Sequence, residues 1–313
     1  MNNRIQLNQI SKSYGKVEAL TNISLDIHPG ELFGLIGPDG AGKTTLFRIL
    51  TTLIIPDKGN ASVCGLDISK DLKEIRCRVG YMPGHFSLYQ DLTVEENLNF
   101  FATVFHTTIE ENYELVREIY QQIEPFKHRR AGKLSGGMKQ KLALCCALIH
   151  RPDVLFLDEP TTGVDPVSRN EFWDMLERLK QQGITIMVST PYMDEASRCD
   201  RIALMREGNL LTVNTPEAIR QEFKHPLLAI KTASNQMYQL LKTLRTYPKT
   251  LQCFSYGDAH HLTLKTEKEN TSEKGKDAKN EQQALQTYLV QQGFQQVSIN
   301  AIEPSIEDCF MLL

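Results

Sequence analysis

The chain has 313 residues, of which 41% are hydrophobic and 23% charged, with a formal net charge of -3. This length implies two domains of unequal size, the composition is that of a globular protein, and the charge offers no basic face to nucleic acid. The longest apolar runs, at 142–149 and 154–157, are too short to span a bilayer, and Met1-Asn2-Asn3-Arg4 has neither an apolar core nor a cleavage site, so the reading is a cytosolic chain without a signal peptide.

From Ile5 to about Thr212, short β-type runs alternate with helical stretches, the pattern of an α/β domain with a mostly parallel sheet. Residues 31–37 (ELFGLIG) read as a buried strand running into a glycine-rich turn, with helical periodicity resuming at Thr44. Thr93 and Glu96 form a capping box ahead of NLNFFATVF. Asp165 and Pro166 open a further helix that Gly183 ends, and the strand ITIMVST follows. Beyond Thr215-Pro216 the order becomes β-α-β-β-α-β, which fits a small ferredoxin-like domain. The domain reading is therefore 1–225 and 226–313. Residues 265–283, charged in both signs and nearly free of apolar side chains, read as a solvated, disordered loop.

None of the seven cysteines forms a CxxC pair, and Cys145 and Cys146 sit in the apolar helical run LALCCALI, where thiols act as small hydrophobes. His28, His106 and His128 have no Cys, Asp or Glu at ligand spacing and read as solvated side chains.

Three segments carry chemistry. Gly37-Pro38-Asp39-Gly40-Ala41-Gly42-Lys43-Thr44 matches GxxxxGK[ST] between a strand and a helix. Its glycines let backbone N–H groups wrap a phosphate chain at a helix N-terminus; Lys43 supplies charge to the β/γ-phosphates and the Thr44 hydroxyl a ligand for Mg²⁺. Residues 154–159 (VLFLDE) form an apolar strand ending in two carboxylates: Asp158 is placed to hold Mg²⁺ and Glu159 to polarise an attacking water, although a strand with such an end also reads as a surface turn. Leu134-Ser135-Gly136-Gly137-Met138-Lys139-Gln140 opens a second helix whose N-terminus suits an anion but has no lysine of its own. One chain rarely needs two such sites for one nucleotide, so Ser135, Gly136 and Gly137 face the nucleotide of another subunit.

These residues resemble those of ABC transporter ATPases, in the branch similar to daunorubicin-resistance and other ABC-2 type exporters. Residues 37–45, ending in Thr45, resemble the Walker A motif, LSGGMKQ the signature, VLFLDEP the Walker B motif and 163–166 (GVDP) the D-loop. Tyr14 stands where an aromatic ring stacks on adenine, and 302–308 (IEPSIED) resembles the tail of the accessory domain in that branch. The resemblance covers about 4–225. It implies a P-loop cassette with a helical subdomain, binding ATP and Mg²⁺ on the inner face of the cell membrane, with integral membrane permease subunits and a second cassette as partners. Two positions depart from the family. Gly84 follows Tyr-Met-Pro where a Gln is usual, and Pro191 follows Ser-Thr where a His is usual. Pro191 has no N–H and no polar side chain, so hydrolysis at this chain's own site reads as impaired unless His85 or Tyr192 substitutes. An intact signature beside a weak site fits one half of an asymmetric heterodimer. The alternatives are a largely non-hydrolytic ATP-binding subunit or a non-transport ABC protein, the latter disfavoured by a single cassette without coiled coil or zinc-binding cysteines.

Overall fold

A computed structural model describes residues 3–265 and 274–313. The chain divides into two compact units, Met1–Pro216 and Glu217–Leu313, upstream of the 225/226 boundary read from the sequence.

The first unit opens with a feature that the α/β reading did not contain. Strands β1 (Ile5–Tyr14) and β2 (Val17–Ile27) pair antiparallel, with Tyr14 opposite Val17 across the Gly15-Lys16 turn. So short a turn permits only a hairpin, and alternation of buried and exposed residues suits a sheet with one wet face. After β3 (Leu32–Ile36) and α1 (Lys43–Leu50), strands β4 (Lys58–Val63) and β5 (Leu66–Asp67) extend that sheet in the order β2-β1-β4-β5.

The chain then runs through α2 (Leu72–Arg78) and β6 (Val79–Met82) into a helical segment, α3 (Val94–Val104), α4 (Tyr113–Ile123) and α5 (Gly136–Leu148), in which both α3 and α4 pack on α5. Thr93 and Glu96 form the expected capping box on α3. Strand β7 (Val154–Asp158), α6 (Pro166–Gln181), β8 (Thr185–Thr190), β9 (Arg201–Arg206) and β10 (Asn209–Asn214) complete the unit. The central sheet runs β10-β9-β3-β8-β7-β6, parallel throughout except at β10. β3, β7 and β8 are buried at every position, which is why they read as unbroken apolar runs. Helix α1 is fixed to this sheet by Phe47, whose ring meets Phe156 of β7 edge-on at 5.8 Å.

The second unit begins at α7 (Pro216–Gln221), whose Pro216 closes the first, and follows the expected order: β11 (Leu227–Lys231), α8 (Met237–Arg245), β12 (Thr250–Tyr256), β13 (Ala259–Leu264), α9 (Lys274–Gln291) and β14 (Ser298–Ala301). Its antiparallel sheet, ordered β12-β13-β11-β14, is ferredoxin-like. A last helix, α10 (Ile306–Leu312), starts in a Ser305/Asp308 capping box, and the buried His261 of β13 meets Asp308 at 2.7 Å. The loop expected at 265–283 is only partly described. Residues 266–273 lie outside the described residues, whereas from Lys274 onward the backbone is helical. The physical reason is propagation: Leu285 and Leu289 are fully buried and anchor α9, and the Lys, Ala, Glu and Gln residues before them are good helix formers.

The core of this unit gives a direct stability test. Leu262→Ala empties a fully buried position of β13 and should destabilise the unit by about 2–5 kcal/mol, measured as lost hydrogen-exchange protection across β11–β14. Val290→Ala, at a position 52% exposed, should change it by no more than about 0.5 kcal/mol.

Candidate nucleotide-binding site

The phosphate loop leaves the end of β3 and enters α1 at Lys43. Two glycines are required by space and backbone. A Cβ at Gly37 would stand 2.2 Å from the Met205 carbonyl oxygen; one at Gly42, where φ is +102°, would stand 2.4 Å from the Ala19 carbonyl oxygen. The loop is therefore held against β2 and β9, with the Gly37 N–H donating to the Thr190 carbonyl at 3.3 Å. Pro38, Asp39 and Gly40 are exposed at its tip, Ala41 is buried, and Thr44 and Thr45 are half-buried. Helix α1 has no side-chain cap, in contrast to α3, α5, α6 and α10, which are capped by Thr93, Ser135, Asp165 and Ser305. Uncapped N–H groups at a helix start are the donors that an anionic oxygen takes up.

Lys43 is 3% exposed and points back into the loop. Its Nζ donates to the Gly37 and Pro38 carbonyls at 2.8 and 3.0 Å and lies 3.2 Å from Glu159 Oε1. Glu159 adopts a left-handed backbone conformation, with φ +49°, as the chain turns off β7. Its N–H bonds both the carbonyl and the hydroxyl of Ser189, at 3.0 and 3.1 Å. The same hydroxyl donates to Asp158 Oδ1 at 2.6 Å, and Asp158 is 2% exposed. The sequence reading did not single out Ser189 as a functional residue, and only the sheet register, which sets Ser189 opposite Asp158, could have found it. Neighbouring Tyr81 is pushed up to about 12 by burial and by the Asp158 charge, so its phenol stays protonated.

The two unusual positions are at this same corner. A Cβ at Gly84 would stand 3.2 Å from the Asp158 carbonyl oxygen and 3.9 Å from its carboxyl carbon. Pro191 directly follows Thr190 at the end of β8. Next to it, the Tyr192 N–H donates to the Thr190 hydroxyl at 3.0 Å, and the Tyr192 ring lies under the Arg169 guanidinium at 4.3 Å. His85 is exposed.

The remaining expected residues lie in other parts of the unit. Tyr14 ends β1 at the hairpin tip, 47% exposed, with the Lys12 ammonium 5.9 Å from its ring centre. Ser135 caps α5 by accepting from the Met138 N–H at 3.3 Å. Gly136 and Gly137 pack on the start of α6 and the loop before it: Cβ atoms there would meet Gly163 O at 3.6 Å and Ser168 Oγ at 3.0 Å. Asp165 caps α6, and hydrogen bonds from the backbone and side chain of Ser168 hold its carboxyl below the usual range.

Against known proteins, the family described as ABC transporter matches residues 20–162. The chain is 39% identical over 218 residues, 69% of its length, to Nod factor export ATP-binding protein I of Paraburkholderia xenovorans (strain LB400), covering 72% of that protein. The chain belongs to the ABC transporter ATP-binding family. It is also 39% identical over 311 residues to the probable multidrug ABC transporter ATP-binding protein YbhF of Escherichia coli (strain K12). That match takes in 98% of the chain but 51% of YbhF, so the chain spans about half the length of this relative. Among solved structures, cbiO1 from Clostridium perfringens, part of the ABC transporter complex cbiONQ, superposes with a TM-score of 0.64 at 26% identity, covering 71% of the chain and 92% of cbiO1. The ATP-binding cassette MJ0796, solved as a dimer bound to ADP and Pi, superposes with a TM-score of 0.62 at 26% identity, covering 67% of the chain and 98% of MJ0796. The structure thus has the P-loop cassette fold that the motifs implied. Among the described residues, no helix is long and apolar enough to cross a membrane, and no group of three or more His, Cys, Asp or Glu side chains is placed to hold a metal ion.

Ser189→Ala removes the hydroxyl that bridges Asp158 and the Glu159 N–H. It should destabilise the chain by about 1–3 kcal/mol because a buried carboxylate loses its donor, measured as a lower urea midpoint.

Proposed function

We propose that this chain is the ATP-binding subunit of an ABC-2 type exporter and that its own composite site turns ATP over slowly. The observation that carries the reading is one corner of the sheet. It brings together the phosphate loop, Lys43, Asp158 and Glu159, with two positions, Gly84 and Pro191, that offer no side-chain donor. The relatives support the transport assignment by their names, a multidrug transporter ATP-binding protein and a Nod factor export protein.

In this reading the N–H groups of the loop that are not bonded within the protein and those at the start of α1 wrap the phosphates, and Lys43 exchanges part of its contact with Glu159 for the β/γ-phosphate oxygens. Thr44 and Asp158 would hold Mg²⁺. One hydroxyl and one carboxylate make a poor metal cage by themselves but a fitting one for an ion that also takes phosphate oxygens. When bound, Mg²⁺ neutralises phosphate charge. Glu159 polarises the attacking water. Tyr14, exposed at its hairpin tip, offers a face on which adenine stacks.

The slow turnover follows from Pro191 and Gly84. Losing one preorganised transition-state donor typically costs roughly 10²–10³ in rate, while binding through the loop and Asp158 is unaffected. Tyr192 is engaged by Arg169, and His85 is the remaining nearby side chain that could stand in for a missing donor. The complete Ser135-Gly136-Gly137 run serves the nucleotide of a second cassette, and a heterodimer in which that cassette brings the Gln and His gives one competent site. Integral membrane permease subunits complete the assembly on the cytoplasmic face, with no nucleic acid involved. A largely non-hydrolytic, structural or regulatory subunit is the second reading, favoured by the same two residues.

Lys43→Ala should abolish ATP retention in equilibrium binding; unchanged affinity would sink the assignment. Pro191→His should raise ATPase activity of the isolated chain, whereas Gly84→Gln should raise it less because its Cβ meets the Asp158 carbonyl. Ser135→Arg should stop the second cassette's turnover and leave ATP binding by this chain intact. Brisk, cooperative hydrolysis by the isolated wild-type chain, at the 1–10³ s⁻¹ common among enzymes, would refute the asymmetric reading.

A further inference from the structure

One carboxylate close to the phosphate loop has no role in the site described above. Glu195 lies in the short 3₁₀ turn Met193–Arg198 after β8 and is 3% exposed. A carboxylate so buried persists only if its oxygens are bonded, and these are. Oε1 accepts from the Thr161 hydroxyl at 2.8 Å and from Arg169 Nε and Nη2 at 3.1 and 2.9 Å. Oε2 accepts from the Thr190 hydroxyl at 2.5 Å.

These donors come from three places. Thr190 is the last residue of β8, and its carbonyl receives the Gly37 N–H of the phosphate loop. Thr161 lies just beyond Asp158 and Glu159, where the chain leaves β7. Arg169 stands in α6, which Asp165 caps. The loop before that helix and its first turn, through Gly163 and Ser168, support Gly136 and Gly137 at the start of α5. A continuous line of contacts therefore runs from the phosphate loop through Thr190 to Glu195. From there it passes through Thr161 and Arg169 to the turn at 161–168, and on to the signature glycines.

We infer that Glu195 is a positioning residue that couples ATP held on this chain's phosphate loop to the order of its own signature segment, which serves the other subunit. The inference rests on the ATP-binding reading above. The carboxylate acts through its neighbours and touches no nucleotide. Thr190 and Glu195 carry the buried hydrogen bonds between the end of β8 and the turn at 161–168; the more exposed Asp194 and the Tyr192 ring also meet Arg169. In an asymmetric pair this gives a slow site a use: its occupancy sets how well Ser135, Gly136 and Gly137 are presented to the working site.

The test is amide hydrogen exchange on the full-length chain with and without Mg-ATP. In the wild type, ATP should slow exchange at 37–45, at 161–168 and at 134–140. In Glu195→Gln, protection at 37–45 and the ATP dissociation constant should stay within about twofold of wild type, while the ATP-induced slowing at 134–140 falls by about fivefold or more, the lower bound of a typical coupling between sites. Thr161→Val removes one hydroxyl, keeps the Glu195–Arg169 pair and should give an intermediate loss; it decides the question if the glutamine variant does not fold. A merely structural role would lower protection everywhere with or without ATP, and would overturn the inference. So would wild-type slowing at 134–140 in both variants, or no slowing there in the wild type. Lys43→Ala should remove all three effects; protection at 37–45 surviving in Lys43→Ala would instead count against the ATP-binding reading itself.

Discussion

The register of three buried parallel strands, β3, β8 and β7, is the constraint on which the site depends. Ser189 lies opposite both Leu35 and Asp158, and Thr190 lies opposite Ile36, one residue before the phosphate loop. Successive side chains in a strand point to opposite faces, so a slip of one residue would take the Ser189 hydroxyl away from Asp158. With the register as it is, one hydroxyl bonds Asp158 and the Glu159 N–H together, and the Thr190 carbonyl takes the Gly37 N–H. The phosphate loop, the two carboxylates and the loop after β8 are thus fixed at one level by hydrogen bonds already present in the sheet edge. The apolar burial on both sides of these strands is what makes the register firm.

The polar groups at this corner form two sets. One is directed at the phosphate loop: Lys43 with Glu159, and Asp158 with Ser189. The other is directed away from it, with Glu195 holding Thr190, Thr161 and Arg169. Pro191 stands at the junction, where a donating side chain would join the first set. Its lack of an N–H does not open the turn, because the neighbouring Thr190 hydroxyl accepts the Tyr192 N–H. Gly84 likewise brings no side-chain donor to this corner. Without a side chain it lies close to the Asp158 backbone, a separation that a larger residue could keep only by a small shift of one of the two.

Local rules acted in the same direction at the helix starts. Thr93, Ser135, Asp165 and Ser305 each cap their own helix by accepting an N–H of its first turn, and α1 alone among these five helices has no such side chain. Helices α2, α4 and α8 also lack such a cap, so what sets α1 apart is the glycine loop that leads into it. The signature helix, by contrast, keeps its Ser135 hydroxyl on its own Met138 N–H and packs its two glycines closely on the turn that leads into α6.

The sequence by itself determined the phosphate loop, the strand that ends in Asp158 and Glu159, the helix start at Ser135, the caps on α3 and α6 and the β-α-β-β-α-β order of the second unit. In each case the cause is local: a glycine pattern, a capping oxygen three residues from its donor, or an apolar period. Residues that act across the chain were not legible. Ser189 and Glu195 acquire their partners only when β8 pairs with β7 and α6 returns beside it. The antiparallel β1–β2 sheet was missed because strand alternation alone does not say which partner a strand takes, and the two-residue turn at Gly15 decides it. Charge alone assigns residues 274–283 to a disordered loop, yet they are helical because Leu285 and Leu289 further along the same helix are buried in the core of the second unit. Composition reports what a segment can bury by itself; tertiary structure decides what its neighbours bury for it.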